Sequence, residues 1–177
     1  KMHTVYLAGQ ISSDIETHNW RVRVRGHYEN NPLVRIIDPC LSEFNLEANK
    51  NRDAKDGFSQ KSRAEDGIVL LPYKDRHYVK ISTVIFFDLN HYTKEKPLLG
   101  TMFEMAWAFD DTSKMVIGIH KGGEQERAKN PFARHPFVTE TVQVWVENEK
   151  EACDMLDRFT DAEKDTPAAP LTSFSLT

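Results

Sequence analysis

The stretch "PLLGTMFEMAWAFDD", Pro97 to Asp111, places one acid, Glu104, among Phe103, Met105, Ala106 and Trp107. A carboxylate on the apolar side of a helix is costly unless something compensates it. Two kinds of chemistry would. Thr101 stands three residues ahead, so Thr-x-x-Glu fits a capping box at the start of a helix near Gly100-Thr101. Equally, a helix N-terminus favours the charged form of a carboxylate, and a nucleophilic carboxylate must be charged and firmly held. The residue types admit both readings.

Other candidates lie where strands should end. Tyr6 is either a packed core aromatic or a ligand contact. Asp88 and Asp38 are either turn residues or site carboxylates, and Asp88 is the candidate partner of Glu104 in catalysis. Arg21, Arg23 and Arg25 alternate with valines, which suits a solvated face or a phosphate contact. His77, His91, His120 and His135 lack the spacing of a metal site, so no metal and no cofactor are expected. Gly9 alone follows the first apolar run, so the dinucleotide fingerprint is absent.

The elements that must position these groups alternate along the chain. "HTVYLA" reads as a buried strand ended by Gly9, and Ser12, Ser13 and Asp14 offer caps for a helix to about Glu29. "LVRIIDP" is a second strand. Leu41 to Gly67 is polar and weakly periodic, a long loop with at most a short helix. "IVLLPYKDRHYVKI" holds a helix leading into "STVIFFDLN", whose continuous apolar run fits a central parallel strand. The Glu104 helix follows, then a strand at Lys114–Ile119, a loop at Lys121–Pro136, a strand at Thr141–Val146 and an amphipathic helix from Glu149 to Phe159.

This order predicts an α/β, doubly wound, Rossmann-like parallel sheet of five strands in a single domain over residues 1–160, with a C-terminal tail over 161–177. Ligands in such sheets sit at the carboxyl ends of the strands. That rule selects Gly9-Gln10, Asp38, Asp88 and His120.

At 177 residues with 28% charged and 40% hydrophobic, the chain has the composition of a soluble globular domain. A net charge of −4 argues against nucleic acid or acidic membranes as partners. No apolar run reaches membrane-spanning length. Cys40 and Cys153 lack metal spacing, and a reducing cytoplasm is the expected setting.

"VYLAGQIS", "IIDP", "ISTVIFFDLN", "GTMFEMAWAF" with "KMVIGI" behind it, and "HPFVTETVQVWV" together resemble the nucleoside 2-deoxyribosyltransferase family. The resemblance implies Glu104 as the nucleophile that attacks C1′ of a 2-deoxyribosyl group and holds a covalent glycosyl-enzyme, from which a second free nucleobase takes the sugar. Tyr6, Gly9, Gln10, Asp38 and Gly100 would then line the substrate site. It also implies a homo-oligomer with shared active sites, to which His135 and Phe137 would contribute from a neighbouring subunit.

Two of the family's base-contacting aspartates are replaced. Leu98 stands six residues before Glu104, and His77 stands four before Ile81, with Asp75 nearby. Related hydrolases cleave nucleoside 5′-monophosphates, for which Ser12, Arg21 or the basic loop with Arg127, Lys129 and Arg134 could supply a phosphate pocket, Trp20-Arg21 being the pair to test. A non-catalytic nucleotide-binding module is the third reading.

Overall fold

The computed structural model describes residues 1–12, 14–41, 70–92 and 98–165. The expected Leu41–Gly67 loop beyond Leu41, the Ser13 cap and most of the C-terminal tail lie outside these residues.

Five strands form one all-parallel sheet: β1 (His3–Gly9), β2 (Val34–Ile37), β3 (Val84–Asp88), β4 (Met115–Ile119) and β5 (Val144–Val146), in the order β2-β1-β3-β4-β5. The helices are α1 (Glu16–Tyr28), α2 (Leu71–Ile81), α3 (Leu99–Phe109), α4 (Gly123–Lys129), α5 (Pro136–Thr141) and α6 (Glu149–Asp165). This is the doubly wound α/β architecture expected, and its strand order reverses between β1 and β3. At such a reversal the two connections leave in opposite directions and open a crevice beyond the strand ends.

The central strands are apolar on both faces because helices cover both. Successive residues of β3 face alternately. Ile85 and Phe87 pack with Tyr6, Val79, Leu98 and Met105 under α2 and α3. Val84 and Phe86 pack with Leu7, Trp20, Val24 and Leu156 under α1 and α6. In α1 the buried positions Thr17, Trp20, Arg21, Val24 and Tyr28 follow helical spacing. Its outer face is pinned to α6 by Arg23–Glu149 and by His27–Asp157 at 2.8 Å.

Three elements differ from expectation. Lys121–Pro136 is not only loop. Gly122 and Gly123 adopt left-handed backbone, φ 76° and 67°, and turn the chain straight into α4. The last strand is short because Pro136 starts α5, where proline's fixed φ suits a first turn and its missing N–H is not needed. Gln143 then substitutes for ladder bonds: its Oε1 accepts from Val116 N at 2.6 Å and its Nε2 donates to Lys114 O at 3.0 Å. Finally, α6 continues past Phe159 to Asp165, anchored by Glu163 against buried His3 at 2.7 Å.

Candidate active site

Tyr6 points from β1 into the α2/α3 side, fully buried, and its hydroxyl donates to Glu104 Oε1 at 2.6 Å. The chain brings them together simply. Tyr6 lies on a central strand, and Glu104 is on the face of α3 that also buries Thr101, Met105 and Ala108. Glu104 is only 7% exposed. Burial pushes its pKa up to about 8, helped by the charge of Asp75, while the Tyr6 hydrogen bond and the charges of Arg21 and Lys74 oppose the shift.

The capping-box reading fails on geometry. Helix α3 begins at Leu99 after Leu98, without a side-chain cap bond, so Glu104 is its sixth residue and lies beyond the first turn. The apolar run of "LLG" extends the helix upstream of Thr101. Gly100 is exposed, and a Cβ there would meet no atom within 4 Å, so close backbone approach is not what places a glycine there.

Asp75, on α2, completes the cluster, whereas His77 does not. His77 is exposed beside Tyr78, two residues further along a helix that turns 100° per residue. Asp75 lies near Tyr6 and Glu104, and burial raises its pKa against the opposing charge of Lys74, whose Nζ lies 3.1 Å from Asp75 Oδ1. Buried Glu104 and half-buried Asp75 thus both bear on the Tyr6 hydroxyl, whose own pKa burial and Glu104 drive well above normal. The signal for Asp75 was its half-buried place on α2, legible only once the register of that helix is known.

Asp88 does not pair with Glu104. By strand alternation it shares the face of Phe86, and it lines a cavity of about 360 Å³ with Trp20, Arg23, Asn90, His91 and Glu149 on the α1/α6 side. The two acids therefore occupy opposite faces of the sheet. Asp88 Oδ1 accepts from Asn90 N at 3.2 Å and Asn90 Nδ2 at 2.9 Å; burial raises its pKa. Gly9 makes this corner possible, since a Cβ on it would stand 3.2 Å from both Cβ and O of Asp88.

Arg21, expected at a phosphate, is completely buried and committed to the backbone. It donates to the carbonyls of Leu7 (3.4 Å), Gly9 (2.9 Å), Gln10 (3.3 Å) and Thr17. Those bonds fix the turn leaving β1, and Gln10 takes part through its carbonyl. Asp38 is likewise spent. It accepts from Cys40 N at 2.9 Å and lies 3.8 Å from Arg21 and 3.5 Å from Arg25. Neither side chain is free for a ligand.

His135 caps α5, its Nδ1 accepting from Phe137 N at 3.4 Å, and Phe137 is 78% exposed. Both line an apolar groove of about 550 Å³ between α3 and α5, with Met102, Met105 and Phe109. Glu104 lines neither of these two cavities. Among the described residues no group of three or more histidines, cysteines or acids is placed to hold a metal ion. No described helix is long and apolar enough to cross a membrane.

No known family profile matches the chain, and no curated protein does. Among solved structures it is similar to the crystal structure of a conserved protein from Enterococcus faecalis V583. The TM-score is 0.55 and the identity 10%, over 90% of this chain and 99% of that one. That likeness supports the fold.

Proposed function

We propose that the protein is a nucleoside 2-deoxyribosyltransferase, acting on 2′-deoxynucleosides and free nucleobases through Glu104. The observation that carries this reading is the buried Tyr6–Glu104 bond of 2.6 Å with Asp75 beside it. A helix cap needs no such shell, and a carboxylate kept at high free energy in the core is typical of a working site.

Tyr6 has one proton to give and gives it to Glu104, a bond that favours the charged form attack requires, and Asp75 stands beside the pair. Glu104 would attack in its charged form, which fills as pH rises through about 8, and Asp75 would serve as the acid, the pairing of roles that retaining glycoside chemistry uses. A Glu104 oxygen attacks C1′ of the deoxyribose, and the C1′–N bond breaks with its electron pair leaving on the base. The base takes a proton from Asp75, directly or through water. An incoming base then attacks C1′, surrenders its N–H proton to Asp75 and frees Glu104. Transfer is preferred over hydrolysis of nucleoside 5′-monophosphates because Arg21, the cation considered for the phosphate, is bound to backbone carbonyls. In this reading the protein works in the cytoplasm as a homo-oligomer, and the exposed Phe137 with His135 belongs to the surface a neighbouring subunit covers.

The test is incubation of the protein with a 2′-deoxynucleoside, with and without a second free base, followed by chromatography. A new deoxynucleoside formed only with the second base, and lost in Glu104→Gln, is the expected result. Free sugar formed equally in both mixtures would mean hydrolysis instead. No product from any common deoxynucleoside or its 5′-monophosphate would end the enzymatic reading.

A further inference from the structure

Lys74 is the fourth residue of α2, and its side chain is only 10% exposed. Two physical effects oppose an ammonium there. Lysine is almost never buried without a partner, and the first turn of a helix is the positive end of its dipole. The chain nonetheless sets Lys74 Nζ 3.1 Å from Asp75 Oδ1 and 5.7 Å from the centre of the Tyr78 ring. Buried Lys114 shows what a structural ammonium does instead. It donates to the carbonyls of Lys80 at 2.9 Å and Ser82 at 2.7 Å, with Asp111 Oδ2 3.1 Å away, and so ties the end of α2 to the start of β4.

Adjacent helix positions point about 100° apart, so the contact with Asp75 means that the lysine chain bends across the helix surface to reach the acid. The ionisable groups around this point come from each element packed there: Asp75 and Tyr78 on α2, Glu104 on α3, Tyr6 on β1, Arg21 on α1 and Cys40 beyond β2. Like charges in one buried site suppress each other's ionisation, and a nearby cation relieves this. Burial raises the carboxyl pKa of both Asp75 and Glu104, and Lys74 opposes the rise at each. Arg21 shares the task at Glu104, but its own hydrogen bonds go to backbone carbonyls.

We propose that Lys74 is a positioning residue of the Glu104 site: its buried ammonium holds Asp75 in place and is the counter-charge of the Asp75–Glu104 pair. In the proposed reaction Glu104 gives up its negative charge to the bond with C1′, and Asp75 gains one when its proton leaves with the base. The charge therefore passes between two groups that share one fixed cation. That use of Lys74 rests on the reading of Glu104 as the nucleophile; the charge pairing itself does not.

The test is Lys74→Met, which keeps an unbranched apolar stem and removes the charge, compared with the native chain by urea unfolding from pH 4 to 9. Near pH 4 the raised pKa values leave the folded carboxyl groups largely protonated, so the native ammonium is buried without its counter-charge. There the variant's urea midpoint should equal or exceed the native one. At pH 9 the carboxylates charge without their cation, and the variant's midpoint should fall below the native one. The two profiles cross, which a packing role cannot produce. In base exchange, the alkaline limb of kcat/KM should move to higher pH in Lys74→Met. A midpoint lowered equally at every pH, a midpoint raised at every pH, or a variant unfolded at pH 4 where the native chain is folded would each overturn the assignment. Crossing profiles without base exchange would leave the charge pair standing and end the enzymatic reading; base exchange without a crossing would do the reverse.

Discussion

Replacing Glu104 by glutamine should make the protein more stable at alkaline pH and leave it nearly unchanged at pH 4. The isosteric amide still accepts the Tyr6 hydroxyl through its oxygen, so the 2.6 Å bond has a partner in both proteins. What changes is the charge. In the folded chain the Glu104 pKa is about 8, against about 4.5 when unfolded. Below pH 4.5 the group is protonated in both states and imposes no penalty. Between the two values the unfolded chain loses its proton while the folded chain keeps it, so stability falls as pH rises. Above pH 8 the penalty is complete. A difference of about 3.5 pH units corresponds to about 5 kcal/mol at 1.36 kcal/mol per unit.

That figure is an upper bound, because Asp75 beside it takes over part of the proton binding once Glu104 is neutral. Urea denaturation of both proteins from pH 4 to 9 measures the effect. The native chain should lose stability across pH 5 to 8, and Glu104→Gln should lose markedly less. A helix-capping glutamate predicts the opposite sign, since its pKa would be depressed and its stabilisation would appear on raising the pH through 4. Parallel pH profiles for the two proteins, or a native profile that rises from pH 4 to 6 only in the presence of Glu104, would refute the argument from burial.

Three further outcomes follow from the same geometry. If Glu104 attacks as a carboxylate, kcat/KM for base exchange should climb with pH on a limb near 8; Asp75→Asn should shift that limb to lower pH by removing a repelling charge, and Tyr6→Phe should shift it higher, as rate profiles would record. Arg21→Met should cost about 3–5 kcal/mol in urea unfolding, because it strips donors from the carbonyls at the end of β1 and leaves buried Asp38 with Arg25 alone. Gly118→Ala should destabilise by about 1–3 kcal/mol or more, since its Cβ would sit 2.7 Å from the Trp145 ring, and a loss below 0.5 kcal/mol would mean that β5 shifts freely.

The sheet was legible because its signals are redundant. Val84 to Phe87 is apolar at every position, and only a strand covered on both faces needs that. The Tyr6–Glu104 meeting was partly legible, since a central strand and the helix after β3 must share a face. What could not be read was which atoms a buried polar group spends on the protein itself. Arg21 and Asp38 have the residue types of a ligand site, yet carbonyls and arginines consume them. His77 and Asp75 differ by two positions in sequence but by 200° around α2, so a spacing rule that misjudges the helix register picks the exposed one.

Asp88 teaches a different point, because its error lay in ignoring a rule already available. Tyr6 pairs in register with Ile85, and Asp88 is three residues beyond it, an odd number. A period of two then sends Asp88 to the face opposite Tyr6. The alternation that assigns Glu104 and Tyr6 to one side therefore assigns Asp88, with Trp20, to the other. Glu104 and Asp88 thus stand on opposite sides of the sheet, and a role found for one says nothing of the other.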